Sequence, residues 1–428
     1  MIKLGRERII TLIKLLHNPE QSFLSFHVAG TNGKGSVCSY LSSILQESDI
    51  NVGRFTSPHL FHPRDSININ GVPANQALYA DAKAFVEFKA TGLDATEFEL
   101  LTATAFEIFA RKAITAGVIE VGLGGRHDAT NLNYPKKNTI GIITKIGMDH
   151  QSLLGNTITD IASEKAGIIK KKVPVVVHGG NDFDVLKIIE SNASTLFARL
   201  NIVWPDELKK VTTKTGDTRV FYRTEAFGDI DLSQTPLNGE YQYMNLALAL
   251  KALDLMAGKL RSVTRASISS GIQNTTWPGR LQFLDPLMLG LENKNTKILL
   301  DGAHNTQAAQ ALSKFVSENL RGPTEKKVIW IMALSGDRNP YDLLPLLLKP
   351  GDSFYATTFG EVEGMPWVKP QDPAALERVA RDIVGSAHAG IAQTDTRTII
   401  QQVGSKNLPI VICGSLYLAA DTLKLLNN

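Results

Sequence analysis

Apolar residues recur at helical spacing in Ile9, Ile10, Leu12, Ile13, Leu15 and Leu16, so an amphipathic helix is expected within Met1 to His17. Phe23 to Val28 then runs apolar into Ala29, Gly30 and a glycine-rich turn, and Val37 to Gln46 resumes helical periodicity. This is the pattern of strand, loop and helix. Glu97 to Lys112 predicts another helix, and Val118 to Val121 predicts a buried strand ending in Gly122, Gly124 and Gly125. β-Branched runs at Thr139 to Thr144 and Val173 to Val177 predict strands flanking a helix from Thr157 to about Lys165, with Thr157 as its candidate N-cap. Strands alternating with helices imply a parallel sheet covered on both faces.

Residues 183 to 240 are less regular, with strand-like pieces around Val203, Val220 and Phe221. Periodicity returns in a helix from Gln242 to Met256. Beyond Trp277-Pro278-Gly279-Arg280 and the polar stretch Glu292 to Thr296, alternation starts again. Strands are expected at Lys297 to Leu300, Val328 to Met332, Ser353 to Ala356 and Pro409 to Cys413, with helices near 305 to 319, 341 to 348, 373 to 384 and 415 to 426. A length of 428 residues exceeds what one hydrophobic core usually serves. Two α/β domains are therefore expected, residues 1–281 and a smaller one over 282–428.

Composition narrows the function classes. Hydrophobic residues at 43% and charged residues at 20% exclude disorder and fibrous repeats. Forty-five basic against 42 acidic side chains give a net charge of +3, too even for a nucleic-acid surface. The basic runs Lys136-Lys137 and Lys170 to Lys172 lie beside turn residues and read as solvated loops. Cys38 and Cys413 lie in opposite halves, which excludes a disulfide framework and a four-thiolate zinc site and suits a reducing compartment. No apolar run approaches the roughly 18 residues that span a bilayer. Glu7 and the early strand argue against a removable presequence. A monomeric cytoplasmic enzyme with no membrane or nucleic-acid partner is expected.

Gly30-Thr31-Asn32-Gly33-Lys34-Gly35-Ser36 lies between the first strand and its helix, where backbone N–H groups and the helix dipole can bind phosphate. Lys34 supplies compensating charge, and Ser36 can offer a hydroxyl to a magnesium ion on the same phosphates. The spacing departs from the standard phosphate loop, because Val28 stands at its first glycine and Gly35 separates Lys34 from Ser36. A tight strand-to-helix turn with a solvated lysine is the competing reading. Glu120 ends a strand at the sheet edge where ligands of open α/β sheets bind, and His150 should emerge along the same edge. Each alone suits a structural hydrogen-bonding role equally well; their convergence near the loop points to a metal. Lys165, in Ser163-Glu164-Lys165-Ala166-Gly167, reads locally as a solvated lysine at a helix end.

Taken with Thr56-Ser57-Pro58-His59-Leu60, Glu120 to Asn131, Ser163 to Ile168, Gly239-Glu240-Tyr241-Gln242 with Asn245, Trp277 to Arg280, Asp301-Gly302-Ala303-His304-Asn305 and Gly414-Ser415-Leu416-Tyr417-Leu418, the loop resembles that of the folylpolyglutamate synthase and dihydrofolate synthase family within the Mur ligase superfamily. The resemblance spans almost the whole chain. It implies an N-terminal P-loop ATPase domain of Mur ligase type with a parallel sheet, and a C-terminal Rossmann-like domain, with catalysis in the cleft between them. It also implies ATP contacts from Asn32, Gly33, Lys34, Gly35, Ser36, Asn245, Arg280 and Asp301. Magnesium ligation is implied for Ser57, Glu120 and His150, with Ser36 near the phosphates. Catalytic roles fall to Lys34, His304 and Lys165, the last as a carbamylated side chain. Thr96-Glu97-Phe98-Glu99 and His127-Asp128-Ala129 match segments that contact dihydropteroate in bacterial members. Lys3 stands where those members carry an acidic residue, so other groups are expected to recognise the pterin's polar edge.

The implied reaction couples L-glutamate to 7,8-dihydropteroate at the expense of ATP, through an acyl phosphate, with Mg2+ and, as a further candidate ion, K+. Lengthening the glutamate tail of a reduced folate, or doing both, is the alternative. Asn32, where eukaryotic tail-lengthening members tend to carry lysine, favours the first reaction. Val362 to Trp367, Thr96 to Thr102 and Val37 to Leu41, which look like fungal dihydrofolate synthetases, favour it too. A nucleotide-binding regulator without ligase activity would leave Asp301 to Asn305 unexplained. A dinucleotide-binding oxidoreductase ranks last, because no Gly-x-Gly-x-x-Gly opens either domain.

Overall fold

The structure, a computed structural model, describes residues 5–213, 216–336, 338–392 and 396–426. The chain forms two compact units. The first comprises Met1–His59, Pro63–Pro236 and Glu240–Thr276, and the second Leu60–His62, Leu237–Gly239 and Trp277–Asn428. The expected boundary at 281 thus falls inside the second unit. Gly302 N donates to Gly279 O and Leu281 N to the Asp301 carboxylate, both at 2.8 Å, which ties the stretch after Thr276 to that unit.

An eight-stranded sheet forms the centre of the first unit, in the order Val72–Pro73, Ile67–Ile69, Val52–Phe55, Ala116–Glu120, Leu24–Ala29, Thr139–Ile143, Val175–His178 and Leu200–Val203. The last six strands are parallel, and the first two form an antiparallel edge. Every residue of Leu24–Ala29, Ala116–Glu120 and Thr139–Ile143 is buried, as a parallel sheet covered on both faces requires. Val28 pairs with Glu120, so the turn at Gly30 and the Glu120 carboxylate leave the sheet at one C-terminal edge.

The helix Lys34–Gln46 that follows this turn is wedged between Tyr241–Met256 and Arg265–Gln273. A methyl group at Gly271 would lie 2.5 Å from Ile44 Cα, so only glycine permits this approach. Ser39 Oγ donates to Thr276 O and Ser43 Oγ to Gly271 O, each at 2.7 Å. These side chains fix the helix and hence the loop at its head.

Residues 183 to 240 hold more order than expected. Phe183–Thr195 is a helix whose buried Val185, Ile189 and Ala193 lie four apart. Lys209–Thr212, Thr218–Thr224 and Gly228–Asp231 form a separate antiparallel sheet. Helices Gln76–Lys89 and Arg265–Gln273 are likewise additions; Asn75 and Thr264 cap them by accepting from Leu78 N and Ser267 N. The opening helix covers Glu7–Leu15. Lys3 lies outside the described residues.

The second unit has a six-stranded sheet in the order Gln282–Leu284, Ile298–Leu300, Ile410–Cys413, Ile329–Met332, Ser353–Ala356 and Ala389–Ile391. All neighbours pair in parallel except the first two. Helices Thr306–Val316, Pro340–Leu347, Pro373–Val384 and Leu416–Lys424 form where periodicity places them, and Thr396–Gly404 is an addition. Among the described residues, no helix is long and apolar enough to cross a membrane.

Candidate active site

Strand Leu24–Ala29 leads through Gly30–Gly33 into the helix at Lys34, and neighbouring segments anchor this loop. Thr31 N and Asn32 N donate to Lys145 O at 2.9 and 3.2 Å, Thr31 Oγ1 pairs with Gly147, and Thr144 Oγ1 donates to Asn32 O at 2.8 Å. Gly33 is the N-cap at φ 93° and provides no side-chain cap. The amides of the first turn, Lys34, Gly35 and Ser36, therefore lack intrahelical acceptors, which makes an anion cradle. A methyl group at Gly33 would lie 2.3 Å from Asn245 Oδ1, so the expected nucleotide residue of helix Tyr241–Met256 abuts the loop. Asn245 Nδ2 is oriented by Gln242 Oε1 at 3.0 Å.

Lys34 Nζ donates to Thr31 O at 3.2 Å and lies 3.8 Å from Glu120 Oε1. Ser57 N donates to Glu120 Oε2 at 3.3 Å, so Ser57, Glu120 and the loop lysine form one group. Glu120 is only 4% exposed, and an ionised carboxylate at such depth needs positive charge close by. Glu120 with the hydroxyls of Ser36 and Ser57 is a hard oxygen donor set of the kind magnesium takes with substrate phosphates. Among the described residues, no group of three or more His, Cys, Asp or Glu could hold a metal ion. His150 lies on the loop after Thr139–Ile143 in the left-handed conformation, exposed, with its ring 3.9 Å from Asp149 Oδ2.

Lys165 is not the solvated helix-end lysine that its local sequence suggests. It is 4% exposed and donates to Gly30 O at 2.8 Å. Burial, and then the charge of Lys34, lower its pKa to about 7. Lys170 also departs from its solvated reading: its Nζ donates to Asn131 Oδ1 at 2.7 Å and lies 5.5 Å from the Tyr134 ring centre. Burial, and then Arg6, lower its pKa to about 7. Lys171 and Lys172 are exposed as expected.

The expected pterin residues fall into two groups. Thr96 N-caps helix Glu97–Arg111 through a capping box: Glu99 N donates to Thr96 Oγ1 at 3.2 Å, and Thr96 N to Glu99 Oε2 at 2.8 Å. Arg8 Nε donates to the same Glu99 oxygen at 3.0 Å. Phe98 stacks on Phe55 and sits where a side chain on Gly122 would be, while Glu97 is exposed. Of His127, Asp128 and Ala129, only His127 is exposed. Asp128 Oδ2 accepts from Leu123 N at 2.8 Å and Oδ1 from Thr130 N at 2.9 Å, so this carboxylate shapes its own loop. Phe98 therefore packs against the loop that carries His127, which brings the two groups together at Gly122.

In the second unit, Asp301 accepts from Leu281 N and Ala303 N, both at 2.8 Å, and Arg280 lies against Gly302. Burial raises the Asp301 pKa, with the Arg280 charge opposing. His304 Nδ1 is 2.9 Å from Gly302 O. A carbonyl only accepts, so Nδ1 carries a proton.

A glycine-rich turn at the C-terminal edge of a parallel sheet, in a chain with a second, mostly parallel sheet, is the architecture of Mur-type ligases. Residues 28–253 match the Mur ligase middle domain, and residues 287–425 match the dihydrofolate synthetase C-terminal domain. The chain belongs to the dihydrofolate synthetase and folylpolyglutamate synthase family of Mur ligases. A probable dihydrofolate synthetase of Schizosaccharomyces pombe is 40% identical, over 98% of this chain and 97% of that protein. The dihydrofolate synthetase of Saccharomyces cerevisiae is 38% identical, over 100% of this chain and 99% of that protein. The crystal structure of Mycobacterium tuberculosis folylpolyglutamate synthase complexed with ADP and AMPPCP matches with a TM-score of 0.83 at 27% identity, over 99% of this chain and 96% of that one.

Proposed function

We propose that the chain is a dihydrofolate synthase, which joins L-glutamate to 7,8-dihydropteroate with conversion of ATP to ADP and phosphate. The observation that carries this reading is the uncapped loop helix with Lys34 3.8 Å from the buried Glu120, in a chain 40% identical to a dihydrofolate synthetase along nearly its whole length. The amides of Lys34, Gly35 and Ser36 hold the ATP phosphates, and the Lys34 ammonium balances charge that builds on the γ-phosphoryl group. The pteroate carboxylate attacks the γ-phosphorus and ADP leaves, giving an acyl phosphate. Glutamate then attacks the acyl carbon as the free amine, and phosphate leaves as the amide forms. Asn32, Asn245, Arg280 and Asp301 contact the nucleotide. His304 orients the phosphate or the incoming amine. Thr96 to Glu99 and His127 to Ala129 border the pterin.

Ser36, Ser57, Glu120 and His150 would hold Mg2+, which supplies charge neutralisation on the phosphates when bound. Lys165 takes up CO2 as its neutral amine and releases a proton, becoming a carbamate beside Gly30. Its burial and its pKa of about 7 support this, because the amine must be uncharged to react. The two buried free cysteines suit a cytoplasmic setting, and the chain works as a monomer.

Tail lengthening is the second reading, favoured by the fold shared with the mycobacterial folylpolyglutamate synthase, but identity to that protein is 27% against 40% to the fission-yeast relative. ADP release measured with ATP, glutamate and either dihydropteroate or tetrahydrofolate separates the two. ADP and dihydrofolate should form with dihydropteroate. Turnover with tetrahydrofolate alone would reverse the assignment, and ATP hydrolysis indifferent to pterin would remove it. Exchanging KCl for NaCl in the same assay reads any K+ requirement.

A further inference from the structure

We infer that His27 and Thr130 are positioning residues for pterin binding, acting through Asp128; this rests on the dihydropteroate reading above. His27 lies in strand Leu24–Ala29, shortly before the phosphate loop, and is 1% exposed. Its Nε2 is 2.8 Å from Thr130 Oγ1, and Thr130 Oγ1 is 2.5 Å from Asp128 Oδ1. A hydroxyl has one proton to give. Asp128 Oδ1 already accepts from Thr130 N, and Oδ2 accepts from Leu123 N, so the carboxylate acts as an acceptor on both oxygens. The Thr130 proton therefore points to Asp128, and its oxygen accepts from His27. That direction places the imidazole proton on Nε2.

The other ring nitrogen, Nδ1, is buried with no hydrogen-bond partner. A proton there would put an imidazolium charge in the core with no acceptor, so the ring is held neutral in one tautomer. The donations run one way, from His27 through Thr130 to Asp128, which also accepts from Leu123 N. It ties the strand that feeds the nucleotide loop to the turn Gly122 to Asn131, whose Gly122 packs on Phe98 and whose His127 is exposed. Thr130 is held from its other side as well: Tyr134 OH donates to Thr130 O at 2.6 Å. Neither His27 nor Thr130 need touch substrate. Their effect is to fix the loop that does.

The test compares Thr130→Val, which keeps the shape but removes the hydroxyl, with Thr130→Ser and His27→Gln, which keep a hydroxyl and an Nε2 donor. Loss of a hydrogen bond to a buried carboxylate is expected to raise KM for dihydropteroate by about tenfold or more in Thr130→Val. KM for ATP and kcat should stay within about twofold. Thr130→Ser and His27→Gln should return KM toward the wild-type value. An unchanged dihydropteroate KM in Thr130→Val, or equal increases for both substrates, overturns the inference. If Thr130→Val does not fold, the nitrogen-15 NMR signature of His27 in the wild-type chain decides: protonated Nε2 with bare Nδ1 is expected, and the opposite tautomer overturns it. A wild-type chain that makes no dihydrofolate would refute the proposed function, while the tautomer measurement would still judge the wiring.

Discussion

Lys165 Nζ donates to the carbonyl of Gly30 at 2.8 Å, placing a buried amine against the first residue of the phosphate loop. Burial and then Lys34 lower its pKa from 10.5 to about 7, against the pull of Asp149 and Asp128. The folded chain thus binds fewer protons than the unfolded chain between about pH 7 and 10.5, and the unmodified amine makes stability rise with pH across that window. Carbamylation should follow the same direction: carbon-13 bicarbonate should give a carbamate signal above about pH 7 that fades below it. Lys165→Ala should abolish the signal and lower kcat by about a hundredfold or more. A fully active, signal-free wild-type enzyme would remove the carbamate from the account.

The pairing of Lys34 with Glu120 at 3.8 Å predicts distinct losses. Lys34→Ala should reduce kcat by about 10²- to 10³-fold, since the charge acts on the phosphoryl group being transferred. Glu120→Gln keeps the size but removes the charge and should raise the Mg2+ concentration needed for half-maximal rate by about tenfold or more. ADP formation against Mg2+ concentration measures both. An unchanged magnesium curve would reduce Glu120 to a structural partner of Lys34.

Gly33→Ala places a methyl group in the left-handed region and 2.3 Å from Asn245 Oδ1. Strain of about 1–2 kcal/mol and displacement of the Asn245 amide should weaken ATP binding by about tenfold or more. Calorimetric titration with ATP checks this. Asn245→Ala in the same chain should not restore affinity, because it relieves the clash with Asn245 Oδ1 but removes a nucleotide contact and leaves the backbone strain.

Thr96→Ala removes half of a capping box and should cost about 0.5–2 kcal/mol of stability in denaturant unfolding. Thr96→Ser should restore it. A variant of normal stability but raised dihydropteroate KM would instead make Thr96 a substrate contact first and a cap second.

Features written in adjacent residues were legible in the sequence. The turn from Leu24–Ala29 into Lys34–Gln46 was one, because glycines and periodicity lie side by side, and so were the alternations of the second unit. The capping box at Thr96 and Glu99 was also written there, as Thr-x-x-Glu before an apolar run, but those residues were read for substrate. Phe183–Thr195 was missed despite Val185, Ile189 and Ala193, because polar residues on its exposed face diluted the pattern. Burial of Lys165 could not be read locally: its partner Gly30 is 135 residues away, and the same five-residue segment on a surface helix would be solvated. Likewise, nothing near His27 announces Thr130, 103 positions later. The resemblance implies that Asp128 lies at the pterin, and only the fold reveals that both of its oxygens are engaged by its own turn.

Carboxylate activation by phosphoryl transfer at the Lys34 loop is the claim on which the mechanism stands. Dihydropteroate carrying oxygen-18 in its carboxylate, incubated with the enzyme, ATP, Mg2+ and glutamate, tests it by mass spectrometry of the released phosphate. One labelled oxygen per phosphate, matched by one dihydrofolate and one ADP, is the predicted result. Phosphate free of label, with dihydropteroate retaining both labelled oxygens while ADP accumulates, would contradict it.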